Sequence, residues 1–458
     1  MTDSHNNNNK RDDQVNIHLE QQMQQLLNKL QLDDAPAGGS LVVYQAGKCI
    51  AQASVGMAQL GVDWQPDTLS LNFSTGKGII ATLVHVLVSA QLLDYDTTIA
   101  SYWPAFATNG KADITLRAVM SHQANLFAIT SIDADSETLL DWEAMLVNVA
   151  AMPITKPDNA DIYNSAYSAL VYGWVLGGLI EAATDMSLAE ALRHYLTEPL
   201  GIADSCYFGV PAGKIDDVAT VVKHFATEDS ATANLMNSDS SQRSKRRKPV
   251  LKADSEQTLN IYANLPSHPC WQQFAISRNL SPINTQLNSN QINRLYFDHS
   301  QLNLKNYKAA LIPTSQTPLD YYDKRALQAV LPAVNGVASA KALATIYGML
   351  ANGGVWQGQI LINPATFTEL STPQVSGMDA VMPTNMEWRL GYHRLVQLCH
   401  EQTQGFGHMG YNGSVAWCDP ARQLSFAFVH NFDVTMLNDI RQFALTEALL
   451  GMIKTTTR

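Results

Sequence analysis

The chain has few positive charges relative to its negative charges. Its 458 residues include 30 Lys and Arg against 41 Asp and Glu, which gives a formal net charge of -11 at pH 7. Proteins that bind nucleic acids concentrate basic side chains on one face, because those side chains neutralise phosphates. This charge balance therefore predicts that nucleic acids are not partners of the protein.

The sequence also lacks closely spaced pairs of cysteines. Its five cysteines are scattered and form no C-x-x-C pair. An odd number at irregular spacing predicts neither a disulfide framework nor a zinc cluster, and it favours a reducing compartment. The five are Cys49, Cys206, Cys270, Cys399 and Cys418.

Long apolar runs are absent as well. Residues 1–14 are polar, with a run of asparagines, and lack the apolar core of a secretory signal. No later stretch reaches the roughly eighteen uncharged apolar residues that a membrane-spanning helix needs. We therefore expect a cytoplasmic protein that does not enter a membrane.

Three motifs of common enzyme classes do not occur in the chain. There is no G-x-S-x-G nucleophile elbow, no H-E-x-x-H zinc motif and no G-x-x-x-x-G-K nucleotide loop. These absences disfavour α/β-hydrolase, metalloprotease and P-loop chemistry. We predict that the protein uses no metal and no other cofactor.

The composition suits a folded core, with 46% hydrophobic and 16% charged residues. Alternating apolar residues predict a hairpin of strands over 40–45 and 49–56. Near the other end of the chain, short strands are predicted over 388–397, 413–418 and 423–430, followed by a helix over 437–453. Strands at both ends, with helical patterns between them, predict one sheet into which a second domain is inserted.

These patterns divide the chain into segments. Residues 15–100 and 331–458 are predicted to form the sheet domain, and residues 101–330 a mainly helical domain with irregular structure in its later part. Residues 1–14 are predicted to be a disordered tail. Residues 225–258, which include a short basic run, are predicted to be a disordered loop because they lack hydrophobic periodicity.

Ser74 and Lys77 form the one S-x-x-K motif of the sequence, at the start of an apolar segment (76–93) that is typical of a buried helix. Residues three apart on a helix share a face, so the lysine amine can reach the serine hydroxyl. A serine needs a base to become a nucleophile, and a lysine supplies one when burial lowers its pKa. The pattern predicts a nucleophile and its base; the alternative is a helix cap followed by a surface lysine.

Two further segments carry candidate residues. Tyr163 precedes a helix predicted to begin at Ala166, and a tyrosine there can relay a proton between Lys77 and a leaving group. Residues 405–413 are rich in glycine and include His408; glycines let a ligand approach backbone N–H groups that can hold an oxyanion. The alternatives are a tyrosine packed at a helix start and an ordinary turn with a hydrogen-bonded histidine.

The order of these three motifs resembles that of the serine β-lactamase and penicillin-binding superfamily. Within it the chain is most similar to the family VIII carboxylesterases, relatives of class C β-lactamases, from about residue 38 to about residue 455. The resemblance implies an α/β (α+β) fold of the β-lactamase/transpeptidase-like type. Such a fold has an antiparallel sheet flanked by helices, plus a mainly helical domain, with the site between them.

The resemblance also implies residue roles. Ser74 would form an acyl-enzyme, and Lys77 and Tyr163 would share acid and base work. The backbone N–H groups of Ser74 and Tyr411 would form the oxyanion hole. His408 and Gly410 would line the substrate pocket.

Two positions depart from the β-lactamase pattern. Ser165 stands where the tyrosine motif usually has asparagine, and His408 with Met409 stands where Lys-Thr is usual. Both changes alter groups that would hold a β-lactam amide and carboxylate. The departures favour a serine hydrolase whose substrates are small-molecule carboxylic esters of short to medium chain length.

Several alternatives stay open on the sequence alone. One is β-lactamase or D-alanyl-D-alanine carboxypeptidase-like activity, and another is transfer of the acyl group to an alcohol by an acyltransferase of the same fold. A catalytically silent scaffold protein is a third. The oligomeric state is not predicted.

Overall fold

The computed structural model describes residues 3–32, 36–225, 254–282, 285–315, 318–401 and 403–453. Within these residues the central element is an antiparallel sheet of six strands, in the spatial order β3-β4-β5-β6-β1-β2. The strands are β1 (Gly39–Gln45), β2 (Lys48–Val55), β3 (His393–Arg394), β4 (Phe406–Met409), β5 (Val415–Asp419) and β6 (Leu424–His430).

The first strand lies beside the last strand, inside the sheet. Their register pairs Gly39 with His430 and Gln45 with Leu424, while β2 pairs with the other side of β1. The predicted N-terminal hairpin and the last two predicted C-terminal strands are confirmed, with small changes in their bounds. The strand predicted over 388–397 is limited to His393–Arg394. A single sheet is therefore built from both ends of the chain.

Helices cover both faces of this sheet. Successive side chains of a strand point to opposite faces, so each face has its own layer of apolar side chains. Phe428 of β6 packs into the apolar layer shared with the first helix, Asp3–Lys29, and the last helix, Arg441–Met452. Its neighbour Val429 packs into the layer shared with the helix Ala340–Ala351. Both layers exclude water from the sheet, which explains why β6 is buried along its whole length.

The remaining helices lie between β2 and β3 along the chain. Polar side chains cap many of them, as Asn363 does by accepting a hydrogen bond from the N–H of Thr366 at 2.9 Å. These helices are Gly76–Ser89, Ile99–Tyr102, Leu116–Met120, Ser136–Leu140, Trp142–Ala151, Val171–Thr184, Leu188–Leu192, Glu256–Ala263, His268–Ser277, Ser289–Tyr296, Leu304–Leu311, Lys324–Gln328 and Pro364–Ser371.

Within the described residues, two-residue and three-residue strands form three minor sheets. One of them pairs Val337–Ala338 with both Ser70–Leu71 and Cys206–Tyr207. The others pair Met57–Gln59 with Val62–Asp63 and Val355–Trp356 with Gln359–Ile360.

Two predictions about irregular structure need correction. The first helix begins at Asp3, so the backbone of most of the predicted tail is helical. The stretch after residue 253 is also helical rather than irregular, because polar residues that read as loop formers act as caps; Asn288, for example, forms a capping box with Gln291. Residues 226–253 of the predicted disordered loop, including the basic run, lie outside the described residues.

The prediction that the cysteines are unpaired is wrong for two of them. Cys270 and Cys399 form a disulfide with a Cα–Cα distance of 5.7 Å, although 129 residues separate them in the chain. Spacing along the sequence cannot reveal a pair that only packing brings together. The pairing also removes the premise from which a reducing compartment was predicted.

No helix in the described part of the chain combines the length and the apolar character that crossing a membrane requires. Over the same residues, no group of three or more His, Cys, Asp or Glu side chains is arranged to hold a metal ion.

Candidate active site

Ser74 lies on a tight turn between a short strand and the buried helix Gly76–Ser89. Phe73, just before it, has a φ of +48°, a left-handed conformation that costs a bulky residue about 1–3 kcal/mol. The N–H of Asn72 anchors the turn by donating to the carbonyl of Gly336 at 2.9 Å. The strained turn presents the Ser74 side chain on the wall of a cavity.

Lys77 is fully buried one helical turn after Ser74. Its Nζ lies 2.9 Å from Ser74 Oγ and donates to the carbonyls of Ala169 at 2.6 Å and Ala333 at 2.8 Å. Burial lowers the pKa of Lys77 well below its usual range. A neutral amine has two N–H bonds and one lone pair, so with both N–H bonds taken by carbonyls its lone pair is left for the serine hydroxyl.

A close approach of two chain segments brings the carbonyl of Ala333 to Lys77. A Cβ on Gly76 would lie 3.0 Å from Gly336 Cα, and one on Gly336 would lie 2.8 Å from Gly76 Cα. A side chain at either position would push the segment after Ala333 away from the helix that carries Lys77.

The tyrosine beside Ser74 is Tyr167. It is buried, it lines the cavity together with Ser74, and its ring centre lies 5.1 Å from Lys77 Nζ. Burial raises the pKa of Tyr167, and a hydrogen bond to Ser74 offsets part of that rise. Tyr167 therefore keeps its proton at neutral pH and can exchange it with Ser74.

The sequence prediction named Tyr163 for this place, and the structure corrects it. Tyr163 is half-buried after the short turn Ala160–Ile162 and packs against the apolar core. Among the described residues that line the cavity with Ser74, Tyr167 is present and Tyr163 is not. The helix begins at Val171, five residues later than predicted, so the extended segment before it is longer and carries the second tyrosine to the site.

Ser165 also lies away from the predicted place in the pocket. Its side chain is buried, and its Oγ donates to Asp379 Oδ2 at 2.7 Å. The same carboxylate accepts hydrogen bonds from the N–H of Tyr167 at 3.3 Å and from the indole of Trp388 at 3.0 Å. Ser165 thus supports the segment that carries Tyr167.

His408 lines the cavity from β4. It is buried, and its Nδ1 lies 3.0 Å from the carbonyl of Met409. Burial, followed by the proximity of His393 and Lys77, lowers the pKa of His408 well below its usual range. The ring is therefore neutral at pH 7 and differs in charge from the lysine usual at this position.

Gly410 has no room for a side chain. A Cβ there would lie 2.3 Å from the carbonyl oxygen of Asn72 and 3.1 Å from Thr75 Oγ1, so this segment touches the turn that carries Ser74. Among the described residues, neither the backbone N–H of Ser74 nor that of Tyr411 donates a hydrogen bond. Two unused N–H groups beside a serine are what an oxyanion requires.

A cavity of about 350 Å³ opens at Ser74. The charged side chains on its wall, within the described residues, are Lys223 and Asp320. Both are partly exposed and have partners, since Lys223 Nζ lies 3.4 Å from Asp433 Oδ1 and Asp320 Oδ2 lies 3.8 Å from His224 Nε2. The rest is largely aromatic and apolar, including Phe73, Tyr307, Tyr321, Tyr322, Tyr411, Met382, Met386 and Met436.

His393 is a cavity residue that the sequence analysis did not single out. Its Nε2 accepts a hydrogen bond from the N–H of Met409 at 3.1 Å, and its Nδ1 donates to the carbonyl of Arg394 at 2.7 Å. Burial is the main reason that the pKa of His393 falls to about 4. It fixes the end of β4 next to His408, and no local motif marked it.

The sheet topology and a serine with a lysine one helical turn on define a serine hydrolase of the β-lactamase/transpeptidase-like fold. A sequence model described as Beta-lactamase matches residues 19–449, and the chain therefore belongs to the β-lactamase family.

Three known proteins show the range of this similarity. The esterase/β-lactamase LipL of Mycobacterium tuberculosis is 31% identical over 399 residues, covering 86% of this chain and 77% of LipL. A penicillin-binding protein homologue from Caulobacter crescentus superposes with a TM-score of 0.69 at 25% identity, over 94% of this chain and 96% of the homologue. A family VIII carboxylesterase has the same fold, with a TM-score of 0.70 at 22% identity, over 95% and 98% of the two chains.

Proposed function

We propose that this serine hydrolase cleaves carboxylic esters through an acyl-enzyme on Ser74. The observation that carries the proposal is the position of Ser74 Oγ, 2.9 Å from the amine of a fully buried lysine and on the wall of an apolar cavity. The similarity to LipL, which is named an esterase/β-lactamase, supports the same class of reaction.

In the first step Lys77 acts as the general base. Its neutral amine takes the proton of the Ser74 hydroxyl while Oγ attacks the ester carbonyl carbon. The carbonyls of Ala169 and Ala333 then accept hydrogen bonds from the ammonium that forms. The base is thus held in one orientation before and after proton transfer.

Tyr167 carries the proton to the leaving group. Its hydroxyl contacts Ser74 and its ring lies against Lys77, so it can pass a proton to the departing alkoxide and be reprotonated from the ammonium. A water molecule then attacks the acyl-enzyme with the same groups in reversed roles. Tyr167 replaces Tyr163 in this proposal.

The N–H groups of Ser74 and Tyr411 would stabilise the tetrahedral oxyanion. Donors that are already aimed at the developing charge contribute to catalysis without reorganising. Gly410 makes this arrangement possible because its lack of a side chain lets the segment touch the nucleophile turn.

The cavity favours esters of uncharged acyl groups over β-lactams. Where β-lactam enzymes carry a lysine, His408 is neutral, and Lys223 on the wall is already paired with Asp433. A lost charge-assisted hydrogen bond to a substrate carboxylate costs about 1.5–3 kcal/mol, or about 10- to 100-fold in rate. The aromatic and methionine side chains suit apolar acyl groups of short to medium length.

A substrate panel tests the proposal. We expect hydrolysis of p-nitrophenyl acetate, butyrate and octanoate, with kcat/KM for the best ester about 10- to 100-fold above that for the β-lactam nitrocefin. Reactions without enzyme correct for spontaneous hydrolysis. Nitrocefin turnover faster than that of every ester would reverse the assignment in favour of a β-lactamase, the second function that the name of LipL admits.

The pH dependence follows from the lowered pKa of Lys77. Because the neutral amine is the active form, kcat/KM should rise about tenfold per pH unit below that pKa and level off well below pH 10. The raised pKa of Tyr167 keeps its proton in place, so no alkaline loss should start below about pH 10. A profile from pH 5 to 10 measures both limbs.

The same shift sets a stability window. Between the lowered pKa of Lys77 in the folded chain and the value of about 10.4 in the unfolded chain, the unfolded state binds more protons. Lys77 therefore makes the free energy of unfolding rise with pH across that window.

A kcat/KM that stays constant from pH 5 to 10 would contradict lysine as the base.

A further inference from the structure

His122 lies in the turn that follows the helix Leu116–Met120. Its side chain is 3% exposed, and its φ is +58°, in the left-handed region. A non-glycine residue in this conformation costs about 1 kcal/mol or more and persists where surrounding contacts impose it. The contacts of His122 lead to Tyr167.

The two residues that flank Tyr167 both donate hydrogen bonds to His122. The N–H of Ala166 donates to the His122 carbonyl at 2.9 Å, and the N–H of Ser168 donates to His122 Nδ1 at 3.2 Å. The imidazole ring also contacts the Tyr167 ring edge-on, with 5.1 Å between the ring centres. One residue therefore holds the backbone on both sides of the tyrosine and touches its ring.

The ring of His122 is suited to accept this hydrogen bond. Burial, followed by the proximity of Lys77 and His393, lowers the pKa of His122 well below its usual range, so the ring is neutral at pH 7. Because Nδ1 accepts from Ser168, the ring proton is on Nε2. Protonating Nδ1 would remove the acceptor.

We propose that His122 is a positioning residue that holds the hydroxyl of Tyr167 at Ser74. The inference rests on the proton-transfer role proposed above for Tyr167. Asp379 anchors the same segment through the N–H of Tyr167, but the N–H of Ser168 ends on His122. Without that second anchor the peptide after the tyrosine can rotate, and a misplacement of about 1 Å can cost about 100-fold in rate.

Two substitutions of His122 distinguish the loss of its hydrogen bond from a change in the size of its side chain. In His122→Asn the amide oxygen can take the place of Nδ1, and asparagine tolerates a left-handed backbone. His122→Leu offers neither property. We expect His122→Leu to lower kcat about 100-fold with KM changed less than about threefold, and His122→Asn to recover kcat to within about fivefold of the unaltered enzyme.

The chain offers a matched control for backbone strain. Gln91 also has a left-handed φ, of +62°, but it is exposed and follows the far end of the helix Gly76–Ser89. At 1.5 Å per residue that end lies about 20 Å from the start of the helix. Gln91→Leu should change thermal stability without changing kcat.

A double-mutant cycle with Tyr167→Phe provides the decisive readout. If His122 acts through the tyrosine hydroxyl, His122→Leu should lower kcat less than about threefold once that hydroxyl is gone. A full 100-fold further loss in the Tyr167→Phe background would overturn the proposal, because a general structural role is additive. So would a His122→Asn variant as slow as His122→Leu.

Failures of folding and of the wider proposal are distinguishable. Near-ultraviolet circular dichroism verifies that each variant is folded, and His122→Ala replaces His122→Leu in the cycle if the leucine variant is not. Full activity of Tyr167→Phe would remove the role of Tyr167, and the inference with it, while Ser74 chemistry stands. Full activity of Ser74→Ala would instead overturn the proposed function.

Discussion

Replacement of Ser74 by alanine is expected to lower kcat/KM for p-nitrophenyl butyrate by about 10⁵- to 10⁶-fold, as the loss of a serine nucleophile does in other hydrolases. Among the described residues, Ser74 Oγ is the only side-chain oxygen that is hydrogen-bonded to Lys77 Nζ, at 2.9 Å, because the other two partners are backbone carbonyls. The substitution removes this oxygen. Stopped assays with purified protein measure the loss. Mass spectrometry after fluorophosphonate treatment should find one adduct on the unaltered chain and none on the variant.

Ser277→Ala is the matched control for this substitution. Ser277 is exposed at the end of the helix His268–Ser277, and its Oγ donates to the carbonyl of Phe274 at 2.9 Å. Its kcat/KM should equal that of the unaltered enzyme. A Ser74→Ala protein that kept its activity and its adduct would show that another residue is the nucleophile.

Replacement of Lys77 by methionine is expected to lower kcat/KM by about 10³- to 10⁴-fold, because general base catalysis is lost while the length of the side chain is nearly kept. The residual rate should also lose the rise with pH that the lysine imposes, since the amine whose deprotonation activates Ser74 in this proposal is gone. Steady-state kinetics from pH 5 to 10 measure both effects.

The chain contains a second buried lysine that controls for burial. Lys111 is also fully buried, and its Nζ donates to the carbonyls of Thr108 at 2.9 Å and Met152 at 2.5 Å. It does not line the cavity that holds Ser74. Lys111→Met should change stability and leave kcat/KM and its pH profile intact; an equal loss of activity in both variants would contradict a chemical role for Lys77.

The sequence was sufficient to pair Ser74 with Lys77 because their relation is local. Three residues apart at the start of a helix, they share a face whatever the rest of the chain does. The apolar residues that follow predict burial of the helix, and burial is what lowers the pKa of Lys77. Predictions of this kind depend on one turn of helix and on hydrophobicity alone.

The third residue of the site could not be chosen in the same way. Tyr163 and Tyr167 are four residues apart and both precede a helix, so the choice depends on where that helix begins. Helix starts are poorly determined by periodicity, since the apolar pattern continues through the buried extended segment before Val171. Ser165 was misassigned for the same reason, because its position in the motif was counted from Tyr163.

Contacts between distant parts of the chain had no local signal. The disulfide joins residues 129 positions apart, and His122 reaches Tyr167 from a different turn. Neither follows from composition, periodicity or motif spacing.

By itself the sequence paired Ser74 with Lys77, marked the glycine-rich segment at His408 and predicted one sheet built from both ends of the chain. Helical faces and strand alternation are short-range properties, and a resemblance in the order of motifs supplies the topology. Tertiary structure alone decided that Tyr167 lines the cavity at Ser74, that Asp379 accepts from Ser165 and from the N–H of Tyr167, and that His122 accepts from the N–H of Ser168. Those choices depend on distances across the fold, which are set by how buried side chains pack together.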